Sequence, residues 1–148
     1  MTCYQKAVQL LGSRPHFRRE LQVKLAQREF PPEEIEEALD RLAGQGYIDD
    51  RKTAVAFVEH RLEHKAEGRL RLRAELEKRG APPDAVEEAL AAVPEDDLEA
   101  TREAAERWRR LHPRGEPAVL TQRLAQHLAR KGFSRRAIFA VLKTDLEE

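Results

Sequence analysis

The stretch Gly46-Tyr47-Ile48-Asp49-Asp50 separates two helical patterns and decides how the chain folds. A glycine followed closely by paired aspartates is typical of a point where one helix ends and the next begins. The apolar residues that follow recur at the three- and four-residue spacing of one helix face: Ala54, Phe57, Val58 and Leu62. This spacing predicts a helix over 51–65, and the arginine-rich segment 68–80 predicts another directly after it.

One pattern of apolar residues occurs three times, with spacings of 4, 5, 5 and 4 and a period of 51 and then 52 residues. Its members are Leu21, Leu25, Phe30, Ile35 and Leu39; Leu72, Leu76, Ala81, Val86 and Leu90; and Leu124, Leu128, Phe133, Ile138 and Leu142. Each copy predicts a pair of helices, and a further helix is predicted before each pair, over 2–11, 51–65 and 97–111. We therefore predict an all-α fold of three tandem three-helix repeats, 1–48, 49–94 and 95–148, arranged as an elongated, bowed rod.

The turns between the paired helices carry residues suited to ending one helix and starting another. Gly80 and Gly132 can adopt the left-handed backbone that closes a helix. Pro32 and Pro83 fit the first turn of the next helix, and Ser134 is the predicted N-cap of the last one.

Composition and charge narrow the class of protein. The chain is 41% apolar, 36% charged and only 5% aromatic, which favours shallow local cores, and it has no run of period-two β-branched residues. The 27 basic and 27 acidic residues cancel, which argues against an independent, tight DNA binder. The zero total hides two regions of opposite charge, −7 over residues 84–103 and +8 over 104–143.

The remaining compositional features describe the compartment. Cys3 is the only cysteine, so the chain can form neither an intrachain disulfide nor a cysteine-based zinc site. No segment approaches the roughly 20 apolar residues of a membrane span, and the N-terminus has no signal-peptide core. We expect a cytoplasmic monomer with no membrane association.

The order of motifs resembles the RecX family of bacterial recombinase regulators over essentially the whole chain. The motifs are Arg14-Pro15-His16, Glu20-Leu21, Lys24-Leu25, Gly46-Tyr47-Ile48-Asp49-Asp50, Ala56-Phe57-Val58, Arg71-Leu72, Glu75-Leu76, Lys78-Arg79-Gly80 and Arg130-Lys131-Gly132-Phe133. Two positions depart from the family pattern: Lys52-Thr53 lies where an Arg-Phe pair is usual, and Phe17 replaces a helix-capping serine.

The resemblance implies a noncatalytic protein, without a cofactor, that binds the RecA recombinase within the groove of its filament on single-stranded DNA. The implied activity is modulation, usually inhibition, of RecA's ATPase, strand exchange and co-protease functions. The resemblance also marks Gly46, Tyr47, Asp49, Asp50 and Phe57 as a structural motif.

Two basic segments are the candidate contacts with this partner or with DNA. They comprise Arg69, Arg71, Arg73, Lys78 and Arg79 in the central repeat, and Arg130, Lys131, Arg135 and Arg136 around the last turn. The first segment contains Glu75 and Glu77, so a solvated helix face explains it equally well. The second contains no acidic residue, which favours a binding role.

Other patterns have a functional and a structural interpretation. Asp49 and Asp50 could form a metal or acid-base pair, but adjacent aspartates at a helix start favour capping. Trp108 and Tyr47 are interpreted as packing residues, although Tyr47 could also stack on a base. His60, Glu63 and His64 match the spacing of inverted zinc peptidases, so a zinc hydrolase is a third hypothesis, after a RecA regulator and a recombinase-independent DNA-binding protein.

Overall fold

The fold is all-α, in agreement with the sequence prediction. The structure is a computed structural model that describes the backbone of residues 1–147 and the side chains of residues 1–143. Over this part of the chain there are nine helices and no strand: α1 Cys3–Ser13, α2 Arg18–Gln27, α3 Pro32–Gly44, α4 Asp50–His64, α5 Arg69–Lys78, α6 Pro83–Leu90, α7 Leu98–Leu111, α8 Pro117–Arg130 and α9 Arg135–Glu147.

The repeating apolar pattern forms the cores. Twelve of its fifteen members are buried, and the other three, Phe30, Ile138 and Leu142, are half-buried. Each fully buried leucine contributes about 1.5–3 kcal/mol of hydrophobic stabilisation relative to exposure. The periodicity therefore identified residues that the fold buries.

Contacts between residues group the chain into two compact units. The first contains Met1–Phe57 and Glu75–Ala89, and the second contains Val58–Ala74 and Leu90–Glu148. Both α4 and α5 contribute residues to each unit.

In the first unit, α1, α2 and α3 pack on one another around a common core. Leu21, Leu25, Leu39 and Leu42 have no exposed surface there, and Ile48 closes the core after α3. In the second unit, α7, α8 and α9 pack in the same way around Trp108, Leu124 and Leu128. Trp108 is 7% exposed, which confirms its interpretation as a core residue.

The paired aspartates cap two different helices. Asp49 Oδ1 accepts a hydrogen bond from the Lys52 backbone N–H at 3.2 Å, which is the N-cap bond of α4. Asp50 Oδ1 accepts from the Arg18 backbone N–H at 2.9 Å, at the start of α2. Asp50 thus satisfies one of the free backbone N–H groups at a helix start where Phe17 has no side-chain acceptor. The capping prediction is confirmed for Asp49, whereas the side chain of Asp50 binds the start of a different helix, which the sequence did not indicate.

An equivalent bond secures the last helix. Ser134 Oγ accepts from the Ala137 backbone N–H at 3.2 Å, which confirms Ser134 as the N-cap of α9. Asp97, the residue before α7, accepts from both the backbone N–H and the hydroxyl of Ser134 at 2.7 Å each. Asp50 at the start of α4 and Asp97 before α7 therefore each bind the start of another helix, α2 and α9 respectively.

The turns inside the repeats have a left-handed residue, as the glycines predicted. Gly80 and Gly132 have φ values of 89° and 87°. At the corresponding turn of the first repeat, Glu29 has φ of 65° and is exposed. A Cβ added at Gly80 would collide with the Arg19 side chain, and one at Gly132 would collide with Arg71. Glycine is required at these two turns because a neighbouring helix packs directly on them.

His16 is a buried histidine of the first unit, with 1% of its surface exposed. Its Nδ1–H donates to the Arg14 carbonyl at 2.9 Å, so Nε2 is left to accept from Lys24 Nζ at 2.8 Å. Burial lowers the pKa of His16, and the charges of Arg14 and Lys24 lower it further. Since protonation would turn Nε2 into a donor facing an ammonium group, this arrangement requires the neutral ring.

Two packing predictions are wrong. Tyr47 is 65% exposed and does not pack at the repeat junction, because Ile48 occupies the buried position instead. Leu62 is 40% exposed although it was assigned to the buried side of α4. The adjacent Arg61 side chain is only 15% exposed and forms an ion pair with Glu67.

Candidate basic cleft

The second unit contains a direct contact between the start of α5 and the end of α8. The Gly68 backbone N–H donates to the Lys131 carbonyl at 2.6 Å, and the Leu70 N–H donates to the Gly132 carbonyl at 3.2 Å. Arg71 Nη1 adds a bond to the Arg130 carbonyl at 2.8 Å. N–H groups at the start of α5 thus donate to carbonyls at the end of α8 that have no partner within their own helix.

Gly68 permits this approach. A Cβ at Gly68 would overlap the carbonyl of Gly132, and a Cβ at Gly132 would overlap the backbone nitrogen of Arg71. The two glycines therefore face each other across the contact. Their proximity brings the basic segment of the central repeat against the basic segment of the last one.

A cleft of about 660 Å³ lies beside this contact. Its basic lining residues come from the connector before α5, from α5, α7 and α8, and from the residue that follows α8: Lys65, Arg71, Arg107, Arg123, Arg130 and Lys131. Among the described residues that line the cleft, Glu67 is the one that is acidic. With six cations against one carboxylate, the cleft attracts anions.

Glu67 is buried, with 2% of its side chain exposed. Its two oxygens accept from Arg61 Nη1 at 2.9 and 3.2 Å, and Arg71 Nε lies 3.9 Å away. Arg61 thereby neutralises the carboxylate from outside the cleft lining. Glu67 holds Arg71 in place while cancelling little of the cleft's positive potential.

Trp108 and His112 add an aromatic pair to the cleft. Their rings are stacked with centroids 4.2 Å apart, and His112 Nδ1 bonds the Trp108 carbonyl at 2.9 Å. The Arg123 guanidinium lies 5.7 Å from the centroid of the Trp108 ring, within cation–π range. These contacts fix Arg123 and His112 at the cleft wall.

The pKa of His127, on α8, is lowered in part by the positive charge around the cleft. Burial lowers the pKa of His127, and the charges of Lys131, Arg130 and His112 lower it further. Repulsion by like charges is the expected signature of a site that collects cations.

The predicted contact residues divide between this cleft and other places. Arg71, Arg130 and Lys131 lie together in the cleft lining. Arg69 is half-buried and donates to the Val93 carbonyl at 3.3 Å, and Arg73 is half-buried. Arg135 and Arg136 are exposed in the first turn of α9. The structure therefore brings together three residues that the sequence divided between two segments.

Lys78 and Arg79 lie in the first unit, where they line a groove with Arg19, Lys24 and Glu75. The Arg79 guanidinium lies 4.7 Å from the centroid of the Phe57 ring. Arg79 therefore packs on the motif residue Phe57 and gives it a structural role.

Sequence reasoning missed Lys65, Arg107 and Arg123 as members of the cleft. Lys65 follows α4, Arg107 lies on α7 and Arg123 lies on α8, so no local pattern joins them. The available signal was a pair of glycines, Gly68 directly before α5 and Gly132 shortly after α8, since glycine at a helix end allows another backbone to approach closely.

The predicted metal pattern has little support in the geometry. The rings of His60 and His64 lie 4.4 Å apart, and the His64 side chain is 59% exposed. Among the described residues, no three histidine, cysteine or acidic side chains are placed to hold a metal ion. Likewise, within that part of the chain no helix is long and apolar enough to span a membrane.

Comparison with known families matches all three repeats. The models for the first, second and third three-helix domains of RecX match residues 3–42, 49–90 and 95–142. The matched segments begin and end close to the helix triplets α1–α3, α4–α6 and α7–α9.

Individual RecX proteins are similar to this chain over almost its whole length. The regulatory protein RecX of Xanthomonas oryzae pv. oryzae (strain PXO99A) is 38% identical over 149 residues, covering 99% of this chain and 90% of the relative. The regulatory protein RecX of Geobacillus kaustophilus (strain HTA426) is 34% identical over 140 residues, covering 94% of this chain and 52% of the relative.

A crystal structure of RecX from Lactobacillus salivarius has the same fold, with a TM-score of 0.80 and 23% identity over 97% of this chain and 95% of that one. A second crystal structure, of a regulatory protein RecX, gives a TM-score of 0.84 at 24% identity over 96% and 71% of the two chains. With three matched domains and relatives of this identity, the chain belongs to the RecX family of regulatory proteins.

Proposed function

We propose that this protein binds filaments of the RecA recombinase on single-stranded DNA and inhibits their ATPase, strand exchange and co-protease activities. The observation that carries the proposal is the match of all three repeats to RecX domains. In this proposal the protein acts as a cytoplasmic monomer and performs no catalysis itself.

The basic cleft supports the proposal with a candidate contact surface. Arg130 and Lys131 are at the end of α8, and Arg71 is held beside them by Glu67 and by the Arg130 carbonyl. These cations suit acidic side chains of a recombinase or the phosphates of the DNA that it covers. Arg135 and Arg136, exposed at the start of α9, extend the candidate surface.

Tandem repeats suit a helical partner. A filament presents the same surface at regular intervals, so a chain of repeated units can contact successive protomers at once. Weak contacts then add through effective concentration, and binding can be strong without one large interface. We propose this mode of binding for the three repeats.

The proposal is tested by binding to RecA filaments assembled on labelled single-stranded DNA, with RecA from the same source. We expect charge reversal in Arg130→Glu/Lys131→Glu to weaken binding by at least about tenfold, since losing one partner of a charge pair buried at an interface costs about 2 kcal/mol or more. Arg110→Glu is the control, because Arg110 is an exposed arginine of the same unit that does not line the cleft. Equal weakening by both variants would contradict the cleft as the contact surface.

A second candidate function is DNA binding without a recombinase, and the six cations of the cleft favour it. This candidate predicts affinity for naked DNA that falls steeply with salt, because bound cations displace counterions. Measuring affinity for single-stranded and duplex DNA at several salt concentrations separates it from the regulator. Binding to RecA-coated DNA that is no stronger than to naked DNA would favour the second candidate.

A further inference from the structure

The arrangement of charge in the cleft also fits a ligand more compact than a nucleic-acid strand. Lys65, Arg71, Arg107, Arg123 and Lys131 approach it from four separate parts of the second unit. A strand presents its phosphates in a line, whereas these cations converge on one concavity from several sides. A ligand that matches them carries several negative charges close together.

Size agrees with this charge pattern. The volume of about 660 Å³ lies within the roughly 300–1,000 Å³ of small-molecule sites. The rings of Trp108 and His112 are stacked and border the same cavity, so one aromatic wall lies beside the cations. Such a combination suits a phosphate chain, with or without an attached nucleoside.

The surroundings leave the positive charge uncancelled. Among the described residues, Arg107, Arg130 and Lys131 form no salt bridge. Arg61 satisfies the carboxylate of Glu67. We infer that this cleft binds a compact polyphosphate, either inorganic or the triphosphate group of a nucleotide.

The inference goes beyond regulation of RecA and does not depend on it, because ligand binding can be measured with this protein alone. If filament binding fails while polyphosphate binds, only the regulatory proposal is refuted. If filament binding succeeds and polyphosphate does not bind, only the present inference is refuted.

The experiment is calorimetric titration of the whole chain with inorganic tripolyphosphate, with ATP, and with a short single-stranded oligonucleotide, in the absence of magnesium. We expect saturable, one-site binding of tripolyphosphate, weakened about tenfold or more in Arg123→Gln and in Lys131→Gln. Arg110→Gln, which removes one positive charge of the same unit outside the cleft, should bind as the wild type does. ATP binding tighter than tripolyphosphate would identify the aromatic wall as a base contact, whereas equal or weaker binding would assign the site to the phosphate chain alone.

The pKa of His127 provides a second measurement, which shows whether the ligand occupies the cleft rather than responding only to the net charge of the variants. His127 faces Arg130, Lys131 and His112, which lower its pKa, so an anion among them should raise it. Proton NMR titration with and without tripolyphosphate measures that shift. Absence of binding, binding that the cleft variants leave unchanged, an unmoved His127 pKa, or binding of the oligonucleotide alone would each overturn the inference.

Discussion

Gly132 allows the start of α5 to contact the end of α8. The loss of unfolding free energy in Gly132→Ala shows how much this contact stabilises the second unit. Its φ of 87° places an alanine in the left-handed region, at a cost of about 1–2 kcal/mol. The added Cβ would also overlap Arg71, and forcing such an atom into a packed site costs about 1–3 kcal/mol more. We expect Gly132→Ala to lower the free energy of unfolding by about 2–5 kcal/mol.

Two other glycines separate these contributions. Gly46 has φ of 82° and nothing within 4 Å of an added Cβ, so Gly46→Ala should show the backbone cost alone, about 1–2 kcal/mol. Gly68 lies against the Gly132 carbonyl without a left-handed φ, so Gly68→Ala should show the steric cost alone. Gly12→Ala is a neutral or stabilising control, since Gly12 lies in α1 with no neighbour that a Cβ would meet.

The assay is urea unfolding followed by far-ultraviolet circular dichroism and by fluorescence of Trp108, which is the only tryptophan and lies in the second unit. The fluorescence transition should shift most in Gly132→Ala and Gly68→Ala. If Gly132→Ala costs no more than Gly46→Ala, the close contact between α5 and α8 is refuted.

Three further predictions concern buried or capping groups. His16 and His127 have lowered pKa values in the folded state, so these two side chains bind protons more strongly in the unfolded chain. The free energy of unfolding should therefore fall as the pH drops below 6.5. In urea titrations at several pH values, His16→Gln should make this fall less steep. Glu67→Gln should lower the free energy of unfolding by about 3 kcal/mol, because it leaves the largely buried Arg61 without its carboxylate partner. The control Glu63→Gln, at an exposed glutamate, should change it by less than about 0.5 kcal/mol. Equal effects of the two variants would contradict a stabilising ion pair between Arg61 and Glu67. Asp97→Ala should lower the melting temperature through a loss of about 1–2 kcal/mol at the start of α9, and an unchanged melting temperature would contradict its capping role.

Features fixed by local chemistry could be predicted from the sequence. The helix starts at Pro32 and Pro83 and the left-handed turns at Gly80 and Gly132 follow from the allowed backbone angles of these residues. The repeated apolar spacing gave the buried residues because helical periodicity decides which side chains share a face. The bowed arrangement of the repeats and their boundaries stay predictions.

Errors arose where adjacent residues compete for one buried position. Tyr47 and Ile48 both follow the turn at Gly46, and the geometry of that turn directs Ile48 inward. Leu62 was placed on the apolar side of α4, yet it is exposed, whereas the adjacent Arg61 side chain is largely buried in an ion pair with Glu67. Such outcomes depend on partners that the local pattern does not reveal.

The cleft could be predicted only in part for the same reason. Arg71 and Arg130 were candidates, but 59 residues separate them, and their meeting depends on the approach of Gly68 to Gly132. Capping of α2 by Asp50 spans 32 residues and was equally invisible to local reasoning.

The central claim, regulation of RecA filaments, is tested most directly by the ATPase activity of RecA on single-stranded DNA during titration with this protein. We predict inhibition at well below one molecule per RecA protomer, weakened in Arg130→Glu/Lys131→Glu and retained in Arg110→Glu. An ATPase rate that stays unchanged at saturating amounts of the wild-type protein would contradict the claim.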